Sequence, residues 1–382
     1  MTLKIFSFFS GAGFLDYGFE KAGFRVVYAN EYHNPFLDAY KYSRKQLKID
    51  EPEYGYHSGS VTDFLNPGLN AKLTDFVVSS KKDGSLVGFI GGPPCPDFSV
   101  GGKNRGRHGE NGSLSKSYVE LIIQELPDFF LFENVKGLWK THKHRAFYDE
   151  LKAALSKAGY KLTERLINAI EYGAPQDRER VILLGFLDYE KPDEKGDGGF
   201  DWLKFAPFPA RGAFNYEWPT VTPYVENSEL TCPENIPVAL TVEHWFRKNK
   251  VNNHINAANW FKPRAGLARF QSVEEGDDSR KSYKRLHRWR YSPTAAYGNN
   301  EVHLHPYKSR RLSVAEALAI QSLPDDFVLP PQMTLSNLFK TVGNGVPYLA
   351  ARGLASSLKI FLEVDANESD GVGLSARNQS AS

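Results

Sequence analysis

The chain has 382 residues, of which 41% are apolar and 24% charged, and its formal net charge is +2. These values are ordinary for a globular protein and exclude low-complexity and collagen-like chains. No apolar run is long enough to span a bilayer and no signal peptide is evident, so we expect a cytoplasmic protein that does not associate with membranes. The two cysteines, Cys95 and Cys232, exclude a disulfide framework and a cysteine-rich metal site.

Strand-like and helix-like segments alternate over the first half of the chain. The predicted strands are residues 5–9, 24–29, 86–90, 129–132, 161–171 and 180–186, and helices are predicted at 14–22, from 35, at 115–126 and at 145–158. This alternation predicts an α/β fold with a doubly wound, mostly parallel, Rossmann-like sheet. Ligands of such sheets bind beyond the carboxyl ends of the strands. The residues that fall there are Gly11, Glu31, Val61, Cys95 and Glu133.

The pattern changes after residue 188. Residues 191–199 (KPDEKGDGG) have the composition of a linker, and the following segment, to about 305, shows no helical period. We expect a monomer, because two domains joined this way could clamp a large ligand without a second copy of the chain. The predicted division is a catalytic, cofactor-binding domain over 1–188 and 341–364, a smaller mixed or irregular domain over 189–310, a hinge and return segment over 311–340, and a disordered tail over 365–382.

The stretch at residues 91–99 (GGPPCPDFS) places one thiol, that of Cys95, at the end of a predicted buried strand. Prolines fix the backbone on both sides of it. The segment that follows, residues 100–109, is rich in glycine and in positive charge, as an anion-binding loop would be. An isolated free cysteine is more often an inert core residue. That alternative has to be weighed against the rest of the chain.

The turn at residues 9–13 (FSGAG) is typical of a nucleotide-binding fold, where glycines let the backbone approach a ligand. Asp16 stands where the dinucleotide fingerprint has its third glycine, which favours S-adenosylmethionine over NAD. Glu31 suits the two hydroxyls of a ribose, and Tyr32 could stack on an adenine. A surface carboxylate beside a half-buried tyrosine is the equally weighted alternative.

Three further residues are candidates for catalysis. Glu133 follows an apolar strand, and a carboxyl group partly buried there would have a raised pKa and could donate a proton. Arg178 and Arg180 lie on one face of an entering strand, because strand side chains alternate. The alternatives are a helix cap for Glu133 and a structural salt bridge between it and the arginines.

Residues 280–291 (RKSYKRLHRWRY) hold six Lys or Arg, no acidic residue and three aromatic rings. Unbalanced charge of this kind favours contact with phosphates over a merely solvated face. Together with the basic loop after Cys95, it predicts two arms around a nucleic acid. The candidate DNA contacts are Ser99, Lys103, Arg105, Arg107, Lys284, Arg285, Arg288 and Arg290.

Seven motifs occur in a fixed order along the chain. They are residues 9–13 (FSGAG), 30–31 (NE), 93–95 (PPC), 133–135 (ENV), 176–180 (QDRER), 311–316 (RLSVAE) with Gln321, and 343–346 (GNGV). In this order and spacing the chain resembles the DNA (cytosine-5) methyltransferases, in particular the compact bacterial enzymes that accompany restriction endonucleases. The resemblance runs from residue 4 to about 360. It fails only at about 189–290, the region in which that family recognises its target.

The resemblance implies a mechanism. Cys95 would add to C6 of a cytosine flipped out of a short duplex sequence, and S-adenosyl-L-methionine would methylate C5. Glu133 would hold or protonate N3, with Arg178 and Arg180 engaging O2 and orienting Glu133. Residues 101–112 would close over the base, and the modified host DNA would resist a cognate nuclease. The cofactor pocket implied by the resemblance consists of Phe9, Gly11, Gly13, Glu31, Tyr32, Val61 and Asn344.

Two positions depart from the family pattern, and three alternatives stay open. Pro96 replaces a frequent Gln, with little change expected, and Ser60 replaces an Asp that bonds the adenine amine, which puts that bond in question. A tRNA cytosine-5 methyltransferase would carry Cys-Phe-Thr, whereas Cys232 lies in Thr-Cys-Pro. A non-catalytic DNA-binding paralogue could lose the catalytic residues, and none is lost. A nicotinamide oxidoreductase fits the chain least well.

Overall fold

A computed structural model describes residues 1–94, 110–188, 199–263, 267–280, 282–295, 297 and 302–377, except for the side chains of 110, 111, 143 and 365–377. Cys95, Ser99, Lys103, Arg105 and Arg107 lie outside the described residues, as does most of the predicted linker.

In the described part of the chain, seven strands form one sheet in the order β3-β2-β1-β4-β5-β7-β6. Strands β1 to β5 pair in parallel, whereas β7 runs antiparallel to both β5 and β6. The mostly parallel α/β sheet predicted from the sequence is therefore confirmed. The strands are β1 (Leu3–Phe8), β2 (Arg25–Glu31), β3 (Tyr56–Ser58), β4 (Leu86–Gly91), β5 (Phe129–Val135), β6 (Tyr160–Asn168) and β7 (Glu179–Leu187).

Helices cover both faces of the sheet, because the strand side chains alternate between two apolar layers. Phe6 and Phe89 share one buried cluster with Leu121, while Ile5 and Ile90 belong to the other cluster. The helices are α1 (Phe14–Lys21), α2 (Asn34–Gln46), α3 (Pro67–Lys81), α4 (Glu110–Glu125), α5 (Lys136–Lys140), α6 (His142–Lys157), α7 (Val242–Lys248), α8 (Leu267–Gln271), α9 (Val314–Ile320), α10 (Leu335–Asn344) and α11 (Tyr348–Arg377).

The last helix runs into the segment for which the sequence predicts a disordered tail, from residue 365 onward. Helix α11 extends to Arg377. Its first half is anchored by Leu354 and Leu358, which are buried in the sheet's second apolar layer. Once a helix is nucleated by such packing, each further residue adds one hydrogen bond, so the helix can continue into a polar sequence.

The described residues between 199 and 310 form an irregular region, as the sequence predicts. Its described part contains short helices and isolated β-bridges, among them Thr222 with Glu275. Trp245 and Phe246 of α7 lie in one apolar cluster with Leu318 of α9 and Phe339 of α10. Apolar packing therefore holds this region to the return segment. The division of the chain into domains stays a prediction from the sequence.

Candidate active site

The loop after β1 is held in an unusual backbone conformation. Phe9, Gly11 and Gly13 all have positive φ, at 54°, 56° and 81°. Glycine adopts this region freely, whereas it costs energy at Phe9, so the surroundings must hold the loop in place. The N–H of Ser10 donates to the carbonyl oxygen of Asn30 at 3.0 Å, and the N–H of Gly11 donates to Oε2 of Glu31 at 2.9 Å. The end of β2 thus fixes the loop from one side.

Glu31 and Tyr32 lie at this strand end, as predicted. Glu31 is buried, and burial raises the pKa of its carboxyl group although the backbone N–H of His33 donates to Oε1 at 2.8 Å. Tyr32 leaves 74% of its surface exposed. A Cβ added to Gly11 would meet no atom within 4 Å. Open space over a positive-φ glycine, beside a carboxylate and an exposed aromatic ring, fits a nucleoside-containing cofactor.

The structure also describes two more of the predicted cofactor residues, Val61 and Asn344. Val61 is buried at the start of a short 3₁₀ helix, Val61–Leu65, which follows β3. Ser60 caps that helix, because its Oγ accepts the N–H of Thr62 at 3.2 Å. Asn344 is the last residue of α10 and is exposed. The next residue, Gly345, is packed against the ring of Phe14 at the start of α1.

Glu133 and Arg180 form an ion pair at the carboxyl end of β5. Nε of Arg180 lies 3.0 Å from Oε1 of Glu133, and the two side chains keep only 14% and 11% of their surfaces exposed. Burial raises the pKa of Glu133, and the charges of Arg180 and Arg178 offset that rise in part. A carboxyl group in this setting keeps its proton to a higher pH than usual and can donate it. The salt bridge considered as an alternative is present, and it coexists with that capacity.

Arg178 has a different environment from Arg180. It is buried, and its Nη1 and Nη2 donate to the carbonyl oxygens of Ala295 at 3.0 Å and Gly343 at 2.7 Å. Burial lowers the pKa of its guanidinium group. Arg180 is therefore the arginine that contacts Glu133 directly. Arg178 joins the start of β7 to the segment around Ala295 and to the last turn of α10.

Several residues at the site carry no role in the sequence prediction. A Cβ on Gly92 would lie 2.6 Å from Oε2 of Glu133, so a side chain at position 92 would require that carboxyl group to shift. Nδ2 of Asn134 donates to the carbonyl oxygen of Pro93 at 3.3 Å and ties the Pro-Pro turn to β5. The sequence could have indicated both residues, since Gly92 directly precedes the Pro-Pro-Cys turn and Asn134 directly follows Glu133.

A buried amide network lies behind Arg178. Gln176 donates through Nε2 to Oε1 of Gln321 at 3.1 Å, and its Oε1 accepts the N–H of Ala295 at 2.9 Å. Gln321 in turn donates to the carbonyl oxygen of Val342 at 2.5 Å. Two motif glutamines thereby connect β7, α9 and α10, which the sequence alone did not indicate.

The structure corrects two of the predicted DNA contacts. Arg285 is completely buried, and its guanidinium donates to backbone carbonyl oxygens, including that of Val273 at 2.7 Å. Arg288 is also buried and donates from Nε and Nη2 to the two carboxylate oxygens of Glu275, both at 2.8 Å. Both charges are directed inward, because acceptors distant in sequence surround them. Neither guanidinium is presented to a phosphate.

The other two described candidates retain some exposure. Arg290 donates to the carbonyl oxygen of Gly276 at 3.0 Å and pairs with Asp278 at 3.2 Å, with 16% of its side chain exposed. Lys284 is half-buried. The basic run therefore contributes less surface charge than its composition suggests.

Comparison with known proteins decides the family. A family model described as C-5 cytosine-specific DNA methylase matches residues 3–359. The chain belongs to this family. The Type II methyltransferase M.NmeDI of Neisseria meningitidis serogroup C is 58% identical over 359 residues, covering 94% of this chain and 84% of that protein. M.MthTI of Methanothermobacter thermautotrophicus is 30% identical, covering 95% of this chain and 99% of that protein.

Solved structures agree with the fold. A prophage-encoded E. coli protein superposes with a TM-score of 0.63 at 22% identity, covering 95% of this chain and 100% of that chain. The S. pombe Dnmt2 methyltransferase gives 0.56 at 14% identity, covering 95% of this chain and 99% of that chain. These likenesses support the Rossmann-like fold.

The resemblance drawn from the motifs is confirmed. This chain is an S-adenosylmethionine-dependent DNA (cytosine-5) methyltransferase of the bacterial restriction–modification kind. Among the described residues of this methyltransferase, no helix is long and apolar enough to cross a membrane. In the same part of the chain, no group of three or more His, Cys, Asp or Glu is arranged to hold a metal ion.

Proposed function

We propose that this enzyme methylates C5 of a cytosine that is flipped out of a short, specific duplex DNA sequence. The observation that carries the proposal is the buried Glu133 carboxyl group, paired with Arg180 at 3.0 Å and with a raised pKa. Gly92 lies against this carboxyl group, and the backbone continues through Pro93 and Pro94 toward Cys95. A proton donor thus lies beside the turn that leads to a thiol.

The chemistry requires both groups, because C5 of cytosine is a poor nucleophile. In the proposed mechanism the Cys95 thiolate forms a bond to C6, and the electron pair of the C5–C6 double bond moves toward C5 while negative charge develops toward N3. Glu133 holds a proton at N3, and Arg180 keeps the Glu133 carboxyl group oriented. S-adenosylmethionine, when bound, supplies the methyl group. Loss of the C5 proton and release of Cys95 then restore the aromatic ring.

The proposed cofactor pocket is the loop after β1 with its surroundings. Glu31 would accept the ribose hydroxyls, and Tyr32, with most of its ring exposed, would stack on the adenine. The Oγ of Ser60 already accepts a hydrogen bond as the cap of the 3₁₀ helix. Unlike an Asp at this position, Ser60 has no carboxylate that could accept a hydrogen bond from the adenine amine. Residues proposed to line the pocket are Phe9, Gly11, Gly13, Glu31, Tyr32, Val61 and Asn344.

DNA contacts are proposed for the loop after Cys95 and for the exposed part of the basic run. The loop residues are Ser99, Lys103, Arg105 and Arg107, and Lys284 and Arg290 are the remaining candidates in the basic run. We further propose that the enzyme acts as a cytoplasmic monomer and that methylation protects host DNA from a cognate restriction endonuclease. The endonuclease would be a genetic partner, without a physical complex.

Transfer of label from S-adenosylmethionine tests the activity. Purified enzyme is incubated with the labelled cofactor and either duplex DNA containing all short cytosine contexts or bulk tRNA. We expect labelled DNA and unlabelled tRNA. Label in tRNA alone would favour the tRNA methyltransferase alternative, and label in neither would favour a non-catalytic paralogue. Bisulfite sequencing of DNA from an expressing host would then identify the target sequence.

Covalent trapping tests the nucleophile. DNA that carries 5-fluorocytosine at the target position cannot lose its C5 substituent, so the adduct between enzyme and base should persist. We expect Cys95→Ser to abolish this adduct. Cys232→Ser is the matched control, because Cys232 is the other cysteine and has no proposed role. An adduct that survives Cys95→Ser and disappears with Cys232→Ser would reverse the assignment.

A further inference from the structure

A buried carboxyl group with no part in the proposed chemistry lies beneath the loop after β1. Asp16, in the first turn of α1, is buried. Its Oδ1 accepts the hydroxyl of Ser7 at 2.8 Å, and its Oδ2 accepts the hydroxyl of Tyr40 at 2.8 Å. Burial raises the pKa of Asp16, and the two hydroxyl donors offset this effect in part. Asp16 therefore joins β1, α1 and α2 at one point.

Tyr40 also supports the loop directly. A Cβ on Gly13 would lie 2.7 Å from Cε2 and 2.8 Å from Cδ2 of Tyr40, so the ring is in close contact with the backbone of Gly13. Tyr40 is completely buried, so the side chains packed around its ring limit how far it can move from the loop. The Tyr40 hydroxyl, fixed by Asp16, sets where this ring lies.

The same network continues away from the loop. Nη1 of Arg44 donates to the Tyr40 hydroxyl at 3.3 Å, and Nη2 of Arg44 pairs with Oε1 of Glu20 at 2.7 Å. Arg44 and Glu20 have side-chain exposures of 8% and 14%. The hydroxyl of Tyr40 thus donates to one charged group and accepts from another, which restrains it in both directions.

The loop needs such support, because three of its five residues have positive φ and one of these is Phe9. A strained loop of this kind persists only when its surroundings determine it. Glu31 and Asn30 hold the loop from the β2 side. Asp16 and Tyr40 hold it from the opposite side, below Gly13.

We propose that Asp16 and Tyr40 are positioning residues for the cofactor, which hold the loop at residues 9–13 in the conformation that receives S-adenosylmethionine. The inference rests on the proposed cofactor pocket. A loop fixed in its binding conformation loses less freedom when the ligand binds. Release of the loop would lower the fraction of molecules competent to bind and weaken the measured affinity by that fraction.

The test is Tyr40→Phe, which keeps the ring and removes only the hydroxyl. Binding of S-adenosylhomocysteine is measured by titration calorimetry, and methyl transfer is measured across cofactor concentrations. Loss of one hydrogen bond predicts a dissociation constant roughly 3- to 10-fold higher. We expect KM for S-adenosylmethionine to rise by about the same factor while kcat stays within about twofold. Asp16→Asn should move the same two quantities in the same direction.

The matched control is Tyr160→Phe. Tyr160 is also buried, and its hydroxyl donates to the carbonyl oxygen of Pro127 at 2.8 Å, but it lies on the edge strand β6. A general loss of stability would affect both variants alike, so Tyr160→Phe should keep the wild-type affinity. Wild-type affinity in both Tyr40→Phe and Asp16→Asn, or a fall in kcat at saturating cofactor with affinity unchanged, would overturn the inference. If wild-type enzyme bound no S-adenosylhomocysteine, the proposed cofactor pocket itself would fail.

Discussion

Gly92 and Glu133 are packed so closely that a Cβ on Gly92 would lie 2.6 Å from Oε2 of the glutamate. Carbon atoms do not approach an oxygen that closely, so any other residue at position 92 must displace the carboxyl group or the backbone of the Pro-Pro turn. The glycine therefore fixes how near the turn that leads to Cys95 can come to the proton donor.

Gly92→Ala should lower kcat by about 100-fold, because a displacement of about 1 Å at a reacting group can cost that much. The measurement is methyl transfer to duplex DNA at saturating cofactor. Gly68→Ala is the control, since a Cβ on Gly68, in the first turn of α3, meets nothing within 4 Å. That variant should keep full activity. Equal activity in the two variants would contradict the positioning role of Gly92.

The titration of Glu133 predicts how stability depends on pH. Burial raises the pKa of Glu133 above its ordinary value of 4.5, so the folded state binds the proton more tightly than the unfolded state does. Below the pKa of the unfolded state Glu133 is protonated in both states, and its burial as a charged group does not lower stability. As pH rises from the pKa of the unfolded state to that of the folded state, the free energy of unfolding falls by up to about 1.4 kcal/mol per pH unit. Above the raised pKa the full cost is present.

Glu133→Gln removes this titration. The free energy of unfolding of wild type minus that of Glu133→Gln should therefore fall as pH rises above about 4.5, as measured by urea denaturation at a series of pH values. The variant should also lose roughly 100- to 10,000-fold in kcat, the usual effect of removing a general acid. A difference that stays flat with pH, or rises, would contradict the raised pKa.

The strands were predictable because each central strand is a continuous apolar run, as buried parallel strands require. The residues at which the strands end were harder to predict. The predicted strand at 161–171 ends at Asn168, whose side chain caps the 3₁₀ helix Ala169–Tyr172 together with Glu171. Helix α3 was not predicted at all. Its buried residues are only Leu73, Val77 and Ser80, too few to give a helical period.

The site was predictable where it follows the strand-end rule. Glu31 and Glu133 lie at the ends of β2 and β5, and Arg180 enters β7 in contact with Glu133. The inward-facing arginines were not predictable, because a run of positive charge does not tell in which direction each side chain points. The acceptors of Arg285 include the carbonyl oxygens of Val273 and His305, 12 and 20 residues away.

The buried amide of Gln176 should matter for stability. Gln176→Leu leaves the N–H of Ala295 and Oε1 of Gln321 without this partner. Each buried polar group left unsatisfied costs about 1–3 kcal/mol, so the free energy of unfolding should fall by about 2–6 kcal/mol in urea titrations. Gln46→Leu, at an exposed position on α2, should change it by less than about 0.5 kcal/mol. A loss below about 1 kcal/mol for Gln176→Leu would contradict the connecting role of this amide.

The basic run at residues 280–291 contains both structural arginines and proposed DNA contacts. The salt dependence of DNA binding distinguishes the two kinds of residue. Arg288→Met breaks a buried pair with Glu275, both side chains being 5% exposed or less, and should destabilise the protein by about 3–5 kcal/mol. It should leave the slope of log Kd against log salt concentration unchanged, provided that circular dichroism shows the variant folded at the temperature used. Lys284→Ala should instead reduce that slope by about 1, because one phosphate contact is lost. The reverse result would be a smaller slope for Arg288→Met and an unchanged slope for Lys284→Ala. It would mean that Arg288 leaves Glu275 to contact the DNA backbone, since only a cation bound at a phosphate releases a counterion.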